Sequence, residues 1–197
     1  MADARRKPGS DRRAARGYHP GMRNVITRLA CLLPLAACVP EEGVQTTPPA
    51  AWEALAERVP ETQGTFRRGT PNALPDAAAG REFPFATANR AIAGYVQIRP
   101  ATDATADADL AQQVQDVTQA GPAHRRLRER ARPASAGALH CAELDGTFGR
   151  TAVDGLACSA LIAGNMVRIR LTMQRRDGRL ELAREFARGI AASLNNP

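Results

Sequence analysis

Two runs of alternating apolar residues, 156–163 (L-A-C-S-A-L-I-A) and 166–173 (M-V-R-I-R-L-T-M), flank the dipeptide Gly164-Asn165. A two-residue turn that permits positive φ, set between two such runs, specifies a β-hairpin. With that turn Ile162 is expected to face Val167, Ala160 to face Ile169 and Cys158 to face Leu171, all six on one side. Ser159, Leu161, Arg168 and Arg170 then fall on the other side. Turn chemistry and alternation choose this register independently, so the hairpin anchors the rest of the fold. It also turns Cys158 inward.

Residues 138–144 (A-L-H-C-A-E-L) read as a further strand, with Cys141 on the side of Leu139. Asp145-Gly146 is expected to turn the chain into a short segment, 147–153. Arg175-Arg176-Asp177-Gly178 ends the sheet. Beyond it Ala183, Phe186, Ala187, Ile190, Ala191 and Leu194 recur at spacings of three and four, the mark of an amphipathic helix over 180–194. Gly189 inside that helix costs up to about 1 kcal/mol relative to Ala, so a close approach to the sheet is expected there. The fold class predicted is α+β: a small antiparallel sheet, hairpin 156–163/166–173 plus strand 138–144, with the helix 180–194 packed on one face.

Upstream the pattern is weaker, although 51–197 is expected to form one domain, with 138–197 as its core and 51–137 less well defined. A short helix is expected over 52–59, with Thr47 and the prolines at its start, and a strand over 94–99 that Pro100 ends. Residues 60–90, rich in Gly, Pro and Ala, read as loop or a loose wrapping. Leu110, Val114 and Val117 mark a helix that Asp107 or Asp109 can cap. Arg125, Arg126, Arg128, Arg130 and Arg132 follow, opposed only by Glu129. This run either contacts lipid phosphates or an anionic envelope polymer, or forms a solvated face or a loop, or pairs with the acidic stretch before it.

The formal charge of +7 is unevenly placed. Residues 1–37 hold eight basic groups against Asp3 and Asp11, whereas the remainder holds 19 Arg and 18 acids. The alkaline character therefore belongs to the first segment, and nucleic-acid binding is not expected. Aromatics at 4% also leave no row of stacking platforms for single strands. No apolar run reaches the roughly 18–20 residues that cross a bilayer as a helix, which excludes a polytopic membrane protein.

From Met22 the chain places Arg23 and Arg28 before an apolar run at 29–39, with Ala36 and Ala37 preceding Cys38. Basic, then apolar, then small is the layout of a secretory signal. The ending Leu35-Ala36-Ala37-Cys38 resembles the lipobox of bacterial lipoproteins. The resemblance implies that Cys38 becomes the lipidated first residue of the mature chain, with 1–37 removed and 38–50 serving as a tether. Cys31 is a poorer match, because Arg28 lies three residues before it. Residues 1–21 read as an over-extended start, with Met22 as initiator. Two or more acyl chains, at about 0.8 kcal/mol per buried CH₂, anchor a protein for good. The expected location is the bacterial cell envelope, facing the periplasm, at the outer membrane in preference to the inner.

Export leaves two thiols, Cys141 and Cys158, and two cysteines in an oxidising space read as one disulfide. In a cytosolic chain they would instead be two buried thiols. A metal site is not expected, since His124 and His140 are the only imidazoles beyond the signal and no C-x-x-C or H-x-x-x-H spacing occurs. No cofactor is implied. The chain lacks G-x-S-x-G, G-x-x-x-x-G-K-[ST], H-E-x-x-H and G-x-G-x-x-G. His140 precedes Cys141 but points to the opposite face of a strand, so it cannot activate that thiol. Glu143, Asp145 and Asp154 cluster in sequence, either as paired carboxylates for acid/base work or as ordinary turn residues. Arg168 and Arg170, side by side, either hold an anion or a partner protein or form a solvated face. The expectation is a lipid-anchored envelope module that binds or scaffolds; the alternative is a minor envelope hydrolase with a site near 140–154.

Overall fold

In the computed structural model, which describes residues 50–74, 80–119 and 125–196, the hairpin is formed by β8 (Thr151–Ile162) and β9 (Asn165–Gln174). Its turn lies one residue earlier than predicted. Ala163 (φ 47°) and Gly164 (φ 73°) take the left-handed conformations that a two-residue hairpin turn demands. Asn165 begins β9, buried, and its side-chain amide donates to the Ala163 carbonyl at 2.9 Å. Ile162 therefore pairs with Asn165 and Cys158 with Ile169, which shifts each expected partner by two residues. Side chains repeat every two residues along a strand, so a shift of two leaves every face as predicted.

The strand predicted at 138–144 is longer. β7 (Leu139–Phe148) runs through Asp145-Gly146, and β8 likewise runs through Asp154-Gly155. Neither dipeptide is a turn; the chain reverses after Phe148, at Gly149 (φ 59°). Gly146 is needed for another reason: a Cβ there would lie 1.9 Å from the Arg126 carbonyl oxygen of the neighbouring strand. Cys141 and Cys158 are directly opposed in the β7–β8 ladder and joined by a disulfide.

Residues 60–90 are not loop. They contribute β1 (Thr62–Gln63), β2 (Phe66–Arg68), β3 (Asn72–Ala73) and β4 (Arg81–Thr87), and β5 (Ile92–Pro100) follows. With β6 (Arg125–Ala131) at the far end, the antiparallel sheet runs β1-β2-β4-β5-β9-β8-β7-β6, with β3 also paired to β4. Strands of two and three residues carry too little alternation to be read. β2 is fixed by Phe66 and β4 by Phe83 and Phe85, all buried, whereas β1 and β3 are held by pairing with β2 and β4. Phe66 and Phe85 meet Phe186 with ring centroids 4.4 and 5.0 Å away.

Phe186 belongs to α3 (Arg179–Asn195), which extends the predicted helix by one residue at each end. Its predicted apolar residues, with those of α1 (Ala51–Glu57), pack on Leu156, Cys158, Ala160, Ile162, Val167, Ile169 and Leu171. Gly189 faces the Gln63 side chain of β1. The second face is covered as well. α2 (Ala106–Gln119) lays Leu110, Val114 and Val117 against Leu127, Ala142, Leu144, Val153 and Ala157. The sheet is thus sandwiched between helices, one layer more than the sequence indicated. The cap of α2 is Thr105, whose hydroxyl accepts from the Ala108 N–H at 3.2 Å, and not Asp107 or Asp109.

Gly94 in β5 admits no side chain, since a Cβ would lie 1.8 Å from the Arg170 carbonyl oxygen of β9. Gly94→Ala is expected to lower the urea unfolding free energy by about 3 kcal/mol or more. Gly137→Ala, at a positive φ in open space, is expected to lose only about 1 kcal/mol.

Candidate functional site

Glu143, Asp145 and Asp154 come together on one face of the sheet. Asp145 and Asp154 are direct cross-strand partners, an arrangement of like charges that needs cations to persist. Four arginines supply them. Arg128 Nε donates to Asp145 at 2.9 Å, and Arg175 spans Asp154 at 2.9 Å and Asp145 at 3.3 Å. Glu143 accepts from Arg130 at 2.6 Å and from Arg184 of α3, whose Nε lies 2.9 Å away. The hydrogen bond from Arg128 holds the Asp145 carboxyl below its ordinary 3.8. Burial pushes Glu143 up, but hydrogen bonds from Arg130 and Arg184 outweigh it and hold it below 4.5. Anionic carboxylates saturated by guanidinium groups are poorly suited to general acid or base work. Among the described residues there is also no His, Cys, Asp or Glu cluster that could hold a metal ion.

A second network lies on the α2 face. Asp109 is buried and accepts from Arg168 Nη2 at 2.6 Å, Arg99 Nη2 at 2.5 Å and the Ser159 hydroxyl at 2.7 Å. Burial pushes its carboxyl up, yet the hydrogen bonds from Arg168 and Ser159 and the charges of Arg168 and Arg99 keep it below 3.8. Gln113, one turn along α2, donates to the Ser159 hydroxyl and to the Cys158 carbonyl. The solvated face expected around Arg168 is therefore corrected: its side chain is only 14% exposed, because α2 closes over it. Arg170, the next residue on that face, is half-buried opposite Ala157 and Tyr95, and no ion pair among the described residues engages it.

His140 is the cross-strand partner of Ser159, so serine, histidine and aspartate sit close together here. They are not wired for nucleophilic attack. Ser159 is fully buried and donates to Asp109, while His140 Nδ1 lies 2.7 Å from Asp107 and 3.2 Å from the Ser135 hydroxyl. A nucleophile would need its hydroxyl exposed and bonded to the imidazole.

The arginine run forms the edge strand β6, so the run expected as loop or face is a strand. Among the described residues its arginines make no ion pair with the acidic stretch of 103–116. Arg128 and Arg130 take their carboxylates from β7, and Arg132 takes Glu129, Nε at 2.6 Å. Arg126 stands opposite Thr147, on the same side of β6 as Arg128, and no ion pair among the described residues engages it. The Arg125 backbone pairs with Phe148; its side chain, like Cys38 and the tether, lies outside the described residues. The acids lie beneath and the guanidinium groups above: Glu143 and Asp145 side chains are 5% and 12% exposed, Arg128 and Arg130 80% and 42%. Sequence reasoning named the three carboxylates but not Arg130, Arg175 and Arg184 as their partners. Arg175 lies in the segment that ends the sheet and Arg184 in α3, and only the tertiary fold brings them to these carboxylates.

Compared with known proteins, the chain matches no family model, and no curated protein is significantly similar to it.

Two outcomes follow from these pairs. Asp109→Asn strands the Arg168 charge under α2 and is expected to cost about 3 kcal/mol in chemical denaturation. Carboxyls lowered on folding stabilise the native state above their ordinary values of 3.8 and 4.5, and lose that contribution as the pH falls through their lowered values. Thermal stability is therefore expected to hold from neutrality to about pH 5 and to fall steadily below it, a decline that Asp109→Asn makes shallower.

Proposed function

We propose that this chain is an exported protein anchored by lipid at Cys38 to the bacterial cell envelope, where its folded domain binds or scaffolds. The observation that carries the reading is the Cys141–Cys158 bridge between paired strands, a cross-link that persists in oxidising compartments and is rare in the cytosol. It agrees with the signal-like segment and its Leu35-Ala36-Ala37-Cys38 ending. The surface offered to the envelope is β6, where Arg126, Arg128 and Arg130 stand in a row above carboxylates that only partly neutralise them. Guanidinium groups half-neutralised in this way retain outward N–H donors for phosphates of lipid headgroups or of an anionic polymer. The arginine pairing of Glu143, Asp145 and Asp154 weighs against a hydrolase at 140–154.

Mass spectrometry of the native membrane fraction tests this directly. The expected mature chain begins at an acylated Cys38, and its 141- and 158-containing peptides resist alkylation until reduced. Cys38→Ser is expected to move the protein out of the membrane fraction. An uncut chain, or one with freely alkylated Cys141 and Cys158, overturns the proposal.

A further inference from the structure

At one end of the sheet the β4–β5 turn, the β7–β8 hairpin, the last residues of β9 and the first of α3 surround an open cavity of about 630 Å³. A smaller hollow of about 380 Å³ shares Asn89, Ala91 and Arg179 with it and continues over Leu182. The first volume lies within the range of small-molecule sites, roughly 300–1,000 Å³.

The lining separates into charge and grease. Arg90 and Arg179 are the charged residues on the wall, and no carboxylate lines either hollow among the described residues. Among the described residues no ion pair engages either arginine, and Arg179 Nη1 donates to the Gln174 carbonyl at 3.1 Å. This contrasts with the two networks above, where each buried carboxylate is matched by arginine. Apolar surface flanks the cations on both sides. Phe148 (52% exposed) and Leu182 (40%) are two of the three large hydrophobic side chains left exposed among the described residues. Phe148 stands on the first hollow with Val153 and Met173, and Leu182 on the second.

We propose that this cavity binds a small amphipathic organic anion, its carboxylate or phosphate between Arg90 and Arg179 and its hydrocarbon body over Phe148 or Leu182. Unpaired guanidinium groups supply strong charge-assisted donors, and concave apolar walls supply the area an aliphatic or aromatic body buries. The assignment goes beyond envelope anchoring and holds wherever the chain resides.

Photolabelling of the full chain with a diazirine-bearing octanoate, mapped by peptide mass spectrometry, is the test. Adducts are expected in 87–92, 148–153 and 172–182, suppressed by excess octanoate but not by octanol or acetate. In Arg90→Gln/Arg179→Gln, which removes two charge-assisted contacts, the yield should fall about a hundredfold, and in either single variant about tenfold. Arg90 is exposed and Arg179 half-buried with one hydrogen bond to the Gln174 carbonyl, so the thermal transition of the double variant is measured alongside, and Arg90→Gln alone, in an exposed turn, serves if the double variant unfolds. Adducts spread evenly over the chain, equal competition by octanol, or an undiminished yield in the folded variant each overturns the proposal.

Discussion

Eight consecutive residues of β8, from Val153 to Ala160, are buried, and this double burial is the constraint that the other elements satisfy. A strand hidden on both faces needs cover above and below and a paired neighbour on each edge. β7 and β9 supply the edges; α3 with α1 supplies one cover, α2 the other. The two faces are covered by different chemistry. Leu156, Cys158, Ala160 and Ile162 meet an aliphatic and aromatic layer, with Cys158 bonded across to β7. Val153, Ala157 and Ser159 meet a helix whose apolar residues are joined by a polar pin, Asp109 and Gln113.

That pin explains the distribution of charge. The chain has a single lysine, so nearly every cation is a planar fork able to serve two acceptors at once. Arg175 exploits this by bridging Asp145 and Asp154, which otherwise repel each other across the ladder. Arg130 and Arg184 approach Glu143 from the edge strand and from α3, tying two layers to one carboxylate. Such groups specify position as much as stability, since removing one partner strands a desolvated charge. Among the described residues Arg58, Arg67, Arg81, Arg90, Arg126, Arg150, Arg170, Arg176 and Arg179 make no ion pair, and they carry the remaining cationic character.

How much of this was legible depended on the range of the interaction. The hairpin, its faces, the paired cysteines and α3 rest on local periodicity and could be read. The exact partners in the hairpin could not, because Ala163-Gly164 and Gly164-Asn165 both offer a turn, and the choice falls to Asn165, whose amide closes on Ala163. Asp145-Gly146 and Asp154-Gly155 look like turns in isolation. They remain in strand because arginines 17 and 21 residues away neutralise the acids, and because Gly146 lets β6 approach. β1 and β3 escaped notice because two residues carry no pattern, and β2 and β4 because their hold on α3 is Phe66 and Phe85 against Phe186, a contact that no local periodicity signals. Arg168 seemed solvated only because nothing in the sequence says that α2 lies over it.

If β8 is the doubly covered centre that organises both helical layers, its amides must open last. Hydrogen–deuterium exchange of the oxidised chain, followed peptide by peptide under native conditions, reads this directly. The slowest exchange should fall on 153–160 and on the β9 residues paired to it, with the arginine edge at 125–131 exchanging far sooner. Equal rates in these two regions would contradict the account, because a centre no more protected than its own edge organises nothing.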